Sequence, residues 1–442
     1  QAIAVNLTNT NEAPTITSNG AGASAAISIA ENGTAVTTVT ATDVDAATTL
    51  TYSISGGADA ALFTINAATG VLTFNAPPNF EAPGDVGTDN IYDVIVQVSD
   101  GSLTDTQAIA VTLTNVNEAP TITSNGAGST AAISIAENTT AVTTVTASDV
   151  DAATTLTYSI VGGTEAGLFT INASTGVLTF NAPPDFEVPV DAGANNIYHV
   201  IVQVSDGTLI DTQNIGVTIT DVNEAPVITS NGGGASAAIS IAENGTGITT
   251  VVATDVDAAT TLTYSISGGA DAALFTINAS TGVLTFNAPP NFEAPGDVGT
   301  DNIYDVIVQV SDGSLTDTQA IAVTIVNNNE APVITSNGAG ASAAITIAEN
   351  GSAVTTVTAS DVDAATTLTY SISGGADAAL FSINASTGVL TFIAPPNFEA
   401  PGDVGTDNIY DVIVQVSDGS LTDTQAIAVN LTNTNEAPTI TS

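Results

Sequence analysis

"NIYDVIVQVSD", residues 90–100, decides how this chain is read. Tyr92, Val94, Val96 and Val98 alternate with Asp93, Ile95, Gln97 and Ser99. A period of two marks a half-buried antiparallel strand, whereas a helix would bring apolar residues back every third or fourth position. The same eleven positions return at 196–206, 302–312 and 408–418, each 106 residues after the last. "IAEN" (29–32, 135–138, 241–244, 347–350) and "DVDAATTLTY" (43–52, 149–158, 255–264, 361–370) keep that spacing without insertion or deletion. A fixed period of this kind means that one supersecondary unit is copied along the chain.

Within a unit, short β-branched runs are divided by turn signals. "AAISIA" (25–30), "AVTTVTAT" (35–42), "LTYSIS" (50–55), "LFTIN" (62–66) and "GVLTF" (70–74) precede the long strand, and "AIAVTLTN" (108–115) follows it. "APPNFEAPG" and "SDGS" supply turns. The segment after Pro14 joins the first strand, giving about seven strands in roughly 100 residues, the size of a Greek-key β-sandwich. The fold class is therefore all-β, a linear tandem array of seven-stranded sandwiches with a 106-residue period. Strands of about ten residues at roughly 3.3 Å each imply units about 35–45 Å long.

The boundaries expected are residues 14–119, 120–225, 226–331 and 332–437. Residues 1–18 are identical to 425–442, so 1–13 read as the last strand and linker of a preceding repeat and 438–442 as the start of another. The chain thus reads as a window on a longer array, whose partners include further copies of the repeat and like chains in a filament.

Composition narrows the function. The 442 residues include no Lys or Arg, 45 Asp plus Glu and a single His, for a net charge of −45. Hydrophobic residues make up 43% of the chain, enough for folded cores despite the charge. Without a basic side chain the protein cannot neutralise phosphates, which excludes nucleic acid and anionic bilayers as partners. No apolar run of about 18 residues is present to insert in a membrane. There is no Cys, hence no disulfide or thiolate metal site, and this fits a bacterial exported protein. No nucleophile–base arrangement or phosphate loop stands out, so the chain does not read as an enzyme.

The carboxylates fall at strand ends and turns. Glu31, Glu81 and the linker Glu118 belong where the chain leaves a repeat; Asp149, Asp151 and Asp206 belong where the next begins. Six carboxylates around one linker, with no basic partner, call for cations. Two like charges about 5 Å apart repel by roughly 3 kcal/mol at an effective dielectric near 20. Calcium suits such a site: it takes 6–8 oxygens in flexible geometry, whereas magnesium keeps its waters and zinc prefers nitrogen or sulfur.

These motifs, in this order, resemble those of cadherin repeats, in the form found in bacterial surface proteins. Glu31 matches the family's acidic residue late in the first strand, Asp43-Val44-Asp45 its Asp-x-Asp, and Asp100 its late-strand Asp. Asn79-Phe80-Glu81 looks like its Leu-Asp-Arg-Glu motif, with Phe for Arg, and keeps the first acid only as Asp185. The linker Asn115-Val116-Asn117-Glu118-Ala119-Pro120 is one residue shorter than Asp-x-Asn-Asp-Asn-x-Pro and keeps its leading acid only as Asp221.

The resemblance implies a calcium set at each junction, with up to about three ions. The first comprises Glu31, Asn79, Glu81, Asn115, Asn117 and Glu118 with Asp149, Asp151 and Asp206. The second comprises Glu137, Asp185, Glu187, Asp221, Asn223 and Glu224 with Asp255, Asp257 and Asp312. The third comprises Glu243, Asn291, Glu293, Asn327, Asn329 and Glu330 with Asp361, Asp363 and Asp418. Half-sets remain at the two ends: Asn11 and Glu12 with Asp43, Asp45 and Asp100, and Glu349, Glu399, Asn435 and Glu436.

Other signals weigh less. Asp85, Asp89 and Asp93, reduced to Asp191 in the second repeat, read as a solvated loop, and His199 as a surface residue on a strand. Sequons at Asn32, Asn138, Asn244 and Asn350, and again at Asn172, Asn278 and Asn384, are candidate glycosylation sites. The function expected is structural: a calcium-stiffened extracellular rod segment, such as an adhesin stalk or filament shaft. The alternative is that the repeats themselves bind another cell, a like chain or a glycan, although 5% aromatic residues and no Trp make a poor sugar platform.

Overall fold

The computed structural model describes residues 1, 3–258 and 260–438. The chain divides into two compact units, residues 1–222 and 223–442. Each carries two repeats, and of residues 438–442, expected to begin another, all but the first lie outside the described ones. In the first repeat the strands are β1 (Thr15–Ile16), β2 (Ser24–Ala30), β3 (Ala35–Thr38), β4 (Ala41–Thr42) and β5 (Thr51–Gly56). Then follow β6 (Phe63–Ile65), β7 (Val71–Phe74), β8 (Ile91–Ser99) and β9 (Thr104–Thr114). The other repeats follow the same plan, and no α-helix occurs among the described residues; each repeat has one 3-10 turn, Ala60–Leu62 in the first.

Seven strands build the sandwich, one sheet in the order β2-β9-β8-β5 and the other β3-β7-β6. The alternation in the opening stretch decides the packing: Tyr92, Val94, Val96 and Val98 are all at most 2% exposed. They meet Leu72, Phe74, Ile109 and Val111, and Phe74 packs edge-on against Tyr92 at 5.1 Å between ring centres. β2 runs parallel to β9, from Ser24 opposite Ala108 to Ala30 opposite Thr114. The end of β2 therefore lies beside the end of β9, which places Glu31 next to the linker.

The expected strand over 35–42 is two strands. β3 pairs with β7, whereas β4 pairs with β1 in a separate two-stranded ladder. The chain changes partner at Val39 and Thr40: Val39 N donates to Gly70 O, while Thr40 O accepts from Thr17 N. Gly70 has φ +69°, and a Cβ there would stand 2.1 Å from Val39 O, so the crossing requires glycine. Residues 3–13 are exposed and make no strand ladder.

The loop of residues 84–90 is not solvated throughout. Asp85 is buried, and its two oxygens accept Asp89 N at 3.0 Å and Asn90 N at 3.2 Å. Those bonds hold its pKa below the usual value against the opposing effect of burial. Asp191 is buried in the same way. Asp89 and Asp93 are exposed. A second buried acid, Asp59, ties this loop to β8 by accepting Val86 N at 2.7 Å and Asp93 N at 2.8 Å. Glu165 does the same in the second repeat, for Ala192 N and His199 N. His199 is exposed on its strand, opposite Gly216, where the first repeat pairs Asp93 with Ala110.

Candidate metal centre

Each repeat ends in a glutamate clamp. Glu31, just beyond β2, is buried; its Oε2 accepts Phe80 N and its Oε1 accepts Val116 N, both at 2.8 Å. One carboxylate thus holds the 78–82 turn and the linker together. Glu137 (Phe186 N, Val222 N), Glu243 (Phe292 N, Asn328 N) and Glu349 (Phe398 N, Thr434 N) repeat the arrangement at 2.8–2.9 Å. For Glu349 these bonds pull the pKa below its ordinary value.

Two further glutamates close on the clamp. Carboxylate oxygens of Glu31, Glu81 and Glu118 lie within 4.8 Å of one another, as do those of Glu243, Glu293 and Glu330, and of Glu349, Glu399 and Glu436. In the first unit Glu137, Glu187 and Asp221 are grouped equally closely. Burial pushes the pKa of Glu81 up, and the charges of Glu31, Glu118 and Asp151 push it further. Glu293 is raised by burial and by Glu243 and Asp363; Glu330 by burial and by Glu243, Glu293 and Asp363. Oε2 of Glu81, Glu118, Glu293 and Glu330 is buried and accepts no hydrogen bond. A buried carboxylate oxygen without a donor is costly, and no Lys or Arg exists to supply one.

The N-terminal end of the following repeat adds Asp151 and Asp149. Asp151 accepts Asn115 Nδ2 and Glu118 N, each at 2.8 Å. Asp149 Oδ1 accepts Asp151 N at 2.9 Å, while its Oδ2 is buried without a partner. In the second unit Asp363 accepts Glu330 N at 2.8 Å and Asp361 Oδ2 is again unpartnered. Glu224 N likewise donates to Asp257 Oδ2 at 2.9 Å, and Oδ2 of Asp255 and Oδ1 of Asp257 are buried without hydrogen bonds. At the start of the chain Asp45 accepts from Glu12 N at 3.0 Å and from Asn9 Nδ2, and Asp43 Oδ2 is unpartnered.

The six expected carboxylates do not therefore converge equally. Three glutamates form the tight group, Asp151 and Asp149 face the linker, and Asp206 is held separately. Asp206 accepts Thr208 N at 2.6 Å, Leu209 N at 2.7 Å and Asn117 Nδ2 at 2.6 Å. These bonds, the Asn117 amide foremost, hold its pKa at about 2. Asp100 (with Asn11) and Asp418 (with Asn329) are also held at about 2, and Asp312 (with Asn223) is lowered.

Among the expected amide ligands, Asn115 and Asn117 act as donors to carboxylates, as does Asn327, to Glu293 Oε1 at 3.1 Å. Oδ1 of Asn79, Asp185 and Asn291 instead caps its own turn, accepting Ala82 N, Val188 N and Ala294 N. Glu399 accepts from Asn433, and Asn435 is exposed. One contact escaped the sequence reading: Asn32 Nδ2 donates to Glu118 Oε1 at 2.8 Å. The recurrence of Asn directly after the clamp glutamate was the available signal.

The donor set fits a hard divalent cation. It is all oxygen, several of its oxygens are buried and unpartnered, and flexible coordination of 6–8 oxygens is calcium's habit. Tandem β-sandwiches joined by short acidic linkers define the class of protein. The cadherin domain profile matches residues 25–114, 131–220, 237–326 and 343–432. The chain belongs to the cadherin family.

It is 29% identical to human (Homo sapiens) Protocadherin Fat 1 over 329 residues, 70% of this chain but 7% of that protein. It is 28% identical to Cadherin-20 of Xenopus laevis over 330 residues, 69% of this chain and 40% of the relative. Among solved structures, the Protocadherin GammaB4 extracellular domain matches with a TM-score of 0.52 at 22% identity, covering 96% of this chain and 68% of that one. Domains 1–5 of Protocadherin Gamma B2 also reach 0.52, at 20% identity, over 96% of this chain and 82% of that one. These structures support the fold. The relatives named are animal proteins, and the bacterial source that the composition suggested finds no support among them.

Proposed function

We propose that the chain is a calcium-stiffened spacer, four cadherin repeats bounded at residues 14–119, 120–225, 226–331 and 332–437, within a longer extracellular protein. The observation that carries this reading is the recurring glutamate group whose buried Oε2 atoms have no donor. Glu31, Glu81, Glu118, Asp149 and Asp151 would hold calcium at the first junction, and Glu243, Glu293, Glu330, Asp361 and Asp363 at the third. The first unit carries the same residue types in Glu137, Glu187 and Asp221, and the second unit in Glu224, Asp255 and Asp257. Bound calcium supplies positive charge where the chain has none, and it links linker carboxylates to aspartates of the following repeat. Affinity in the range of extracellular modules, about 10⁻⁴–10⁻³ M, would keep such sites filled outside cells.

The chain spans a small part of Protocadherin Fat 1 and under half of Cadherin-20, so an adhesive role for the repeats themselves is a separate proposal. Sedimentation velocity in millimolar calcium separates the two. An elongated monomer supports the spacer; a calcium-dependent dimer overturns it in favour of adhesion between like chains.

A further inference from the structure

We propose that Asn32, Asn244 and Asn350 are positioning residues for the linker glutamates, holding each carboxylate so that its second oxygen faces the metal group. The proposal rests on the calcium reading above. Nδ2 of Asn32 donates to Glu118 Oε1 at 2.8 Å, Nδ2 of Asn244 to Glu330 Oε1 at 2.6 Å, and Nδ2 of Asn350 to Glu436 Oε1 at 2.7 Å. The backbone fixes each donor. All three residues have φ between +64° and +67°, a region that Asn tolerates better than most side chains. Each backbone N–H is bonded at 3.0 Å to a proline carbonyl, of Pro78, Pro290 and Pro396 respectively.

The division of labour between the two carboxylate oxygens gives the inference its content. For Glu118 and Glu330, Oε1 meets the asparagine while Oε2 is buried and unpartnered beside two more glutamates. Left to itself, a carboxylate in that position would rotate away from its like-charged neighbours toward water. The amide opposes this rotation and adds no charge. A Lys in the same place would neutralise the glutamate and compete with the cation. Partners of this kind around a metal site commonly change affinity by 10–100-fold when removed.

The same residues open the Asn-x-Thr/Ser sequons, so the experiment separates the amide from the sequon. The full chain carrying N32G, N244G and N350G is compared with a chain carrying T34A, T246A and S352A. Glycine keeps the positive φ open and removes the side chain that carries the amide. Calcium isotherms are measured, and europium(III) luminescence lifetimes are read on the folded proteins. The expected result is roughly tenfold weaker calcium binding and a shorter europium lifetime in the glycine chain, as water replaces a displaced carboxylate. Melting in chelator is expected to stay close to that of the unsubstituted chain, and the Thr/Ser-substituted chain to bind like it. Unchanged binding in the glycine chain overturns the positioning role, as does equal weakening in the Thr/Ser-substituted chain. If the unsubstituted chain takes up no calcium, the metal reading itself fails and carries this inference with it.

Discussion

Glu31→Ala tests whether the clamp works without a metal. The side chain accepts two backbone N–H groups, Phe80 and Val116, both at 2.8 Å. Hydrogen bonds to a charged group contribute about 1.5–3 kcal/mol each, so losing both costs about 3–6 kcal/mol if both donors stay dry. Val116 is 41% exposed, so water can reach the linker side, and the lower end, about 3 kcal/mol, is the expectation. At 1.36 kcal/mol per factor of ten, that is roughly a 150-fold loss of protection. Hydrogen exchange of the segments containing Phe80 and Val116, read in chelator, measures it locally, without assuming two-state unfolding of a multi-repeat chain. Both segments are expected to exchange faster even with no calcium present. Identical exchange of the unsubstituted and substituted chains in chelator would refute the clamp and leave Glu31 as a metal ligand alone.

In chelator the pH dependence has two limbs of opposite sign. Asp100, Asp206 and Asp418, held at about 2 against an ordinary 3.8, bind fewer protons folded than unfolded, so stability is gained as pH rises from about 2 to about 4. Glu81, Glu293 and Glu330, raised above 4.5, bind more protons folded, so stability is lost as pH rises above about 4.5. Melting temperature in chelator should therefore peak near pH 4–5, and calcium at neutral pH should remove the falling limb; a melting temperature still rising from pH 4.5 to 7 in chelator contradicts this. Asp59→Ala removes the acceptor for Val86 N and Asp93 N and should cost about 2–4 kcal/mol, exposing the 84–90 loop to limited proteolysis. Asp59→Glu should cost much less, because Glu165 fills the same role in the second repeat; equal cleavage of the two variants would show that the carboxylate does not pin the loop.

Much of the fold was legible because its decisive signals are periodic. Tyr92, Val94, Val96 and Val98 alternate with polar and less buried residues, and four copies of each motif set the repeat length. The break between β3 and β4 was not legible: "AVTTVTAT" is uniformly β-branched and small, and the change of partner at Val39 depends on Gly70, thirty-one residues later. The acids divide in the same way. Glu31, Glu81 and Glu118 stood out because they recur with no basic residue to pair with. Asp59 carried no signal in the sequence and Asp85 read as part of a solvated loop, since a backbone N–H that captures a carboxylate leaves no mark in composition. Some carboxylates are filled by backbone donors, and others stand in the glutamate groups of the candidate metal centre. Glu31 shares both characters: its two oxygens are filled by backbone donors, yet it stands within 4.8 Å of Glu81 and Glu118, whose buried oxygens left over carry the calcium proposal.

The central claim is that calcium at these junctions restrains one repeat against the next. Small-angle X-ray scattering of the full chain in millimolar calcium, and then in excess chelator, tests it most directly. The account predicts a long, well-defined particle in calcium, and a smaller radius of gyration with a broader distance distribution once the unneutralised carboxylates are left facing one another. Scattering curves that superimpose with and without calcium would contradict it.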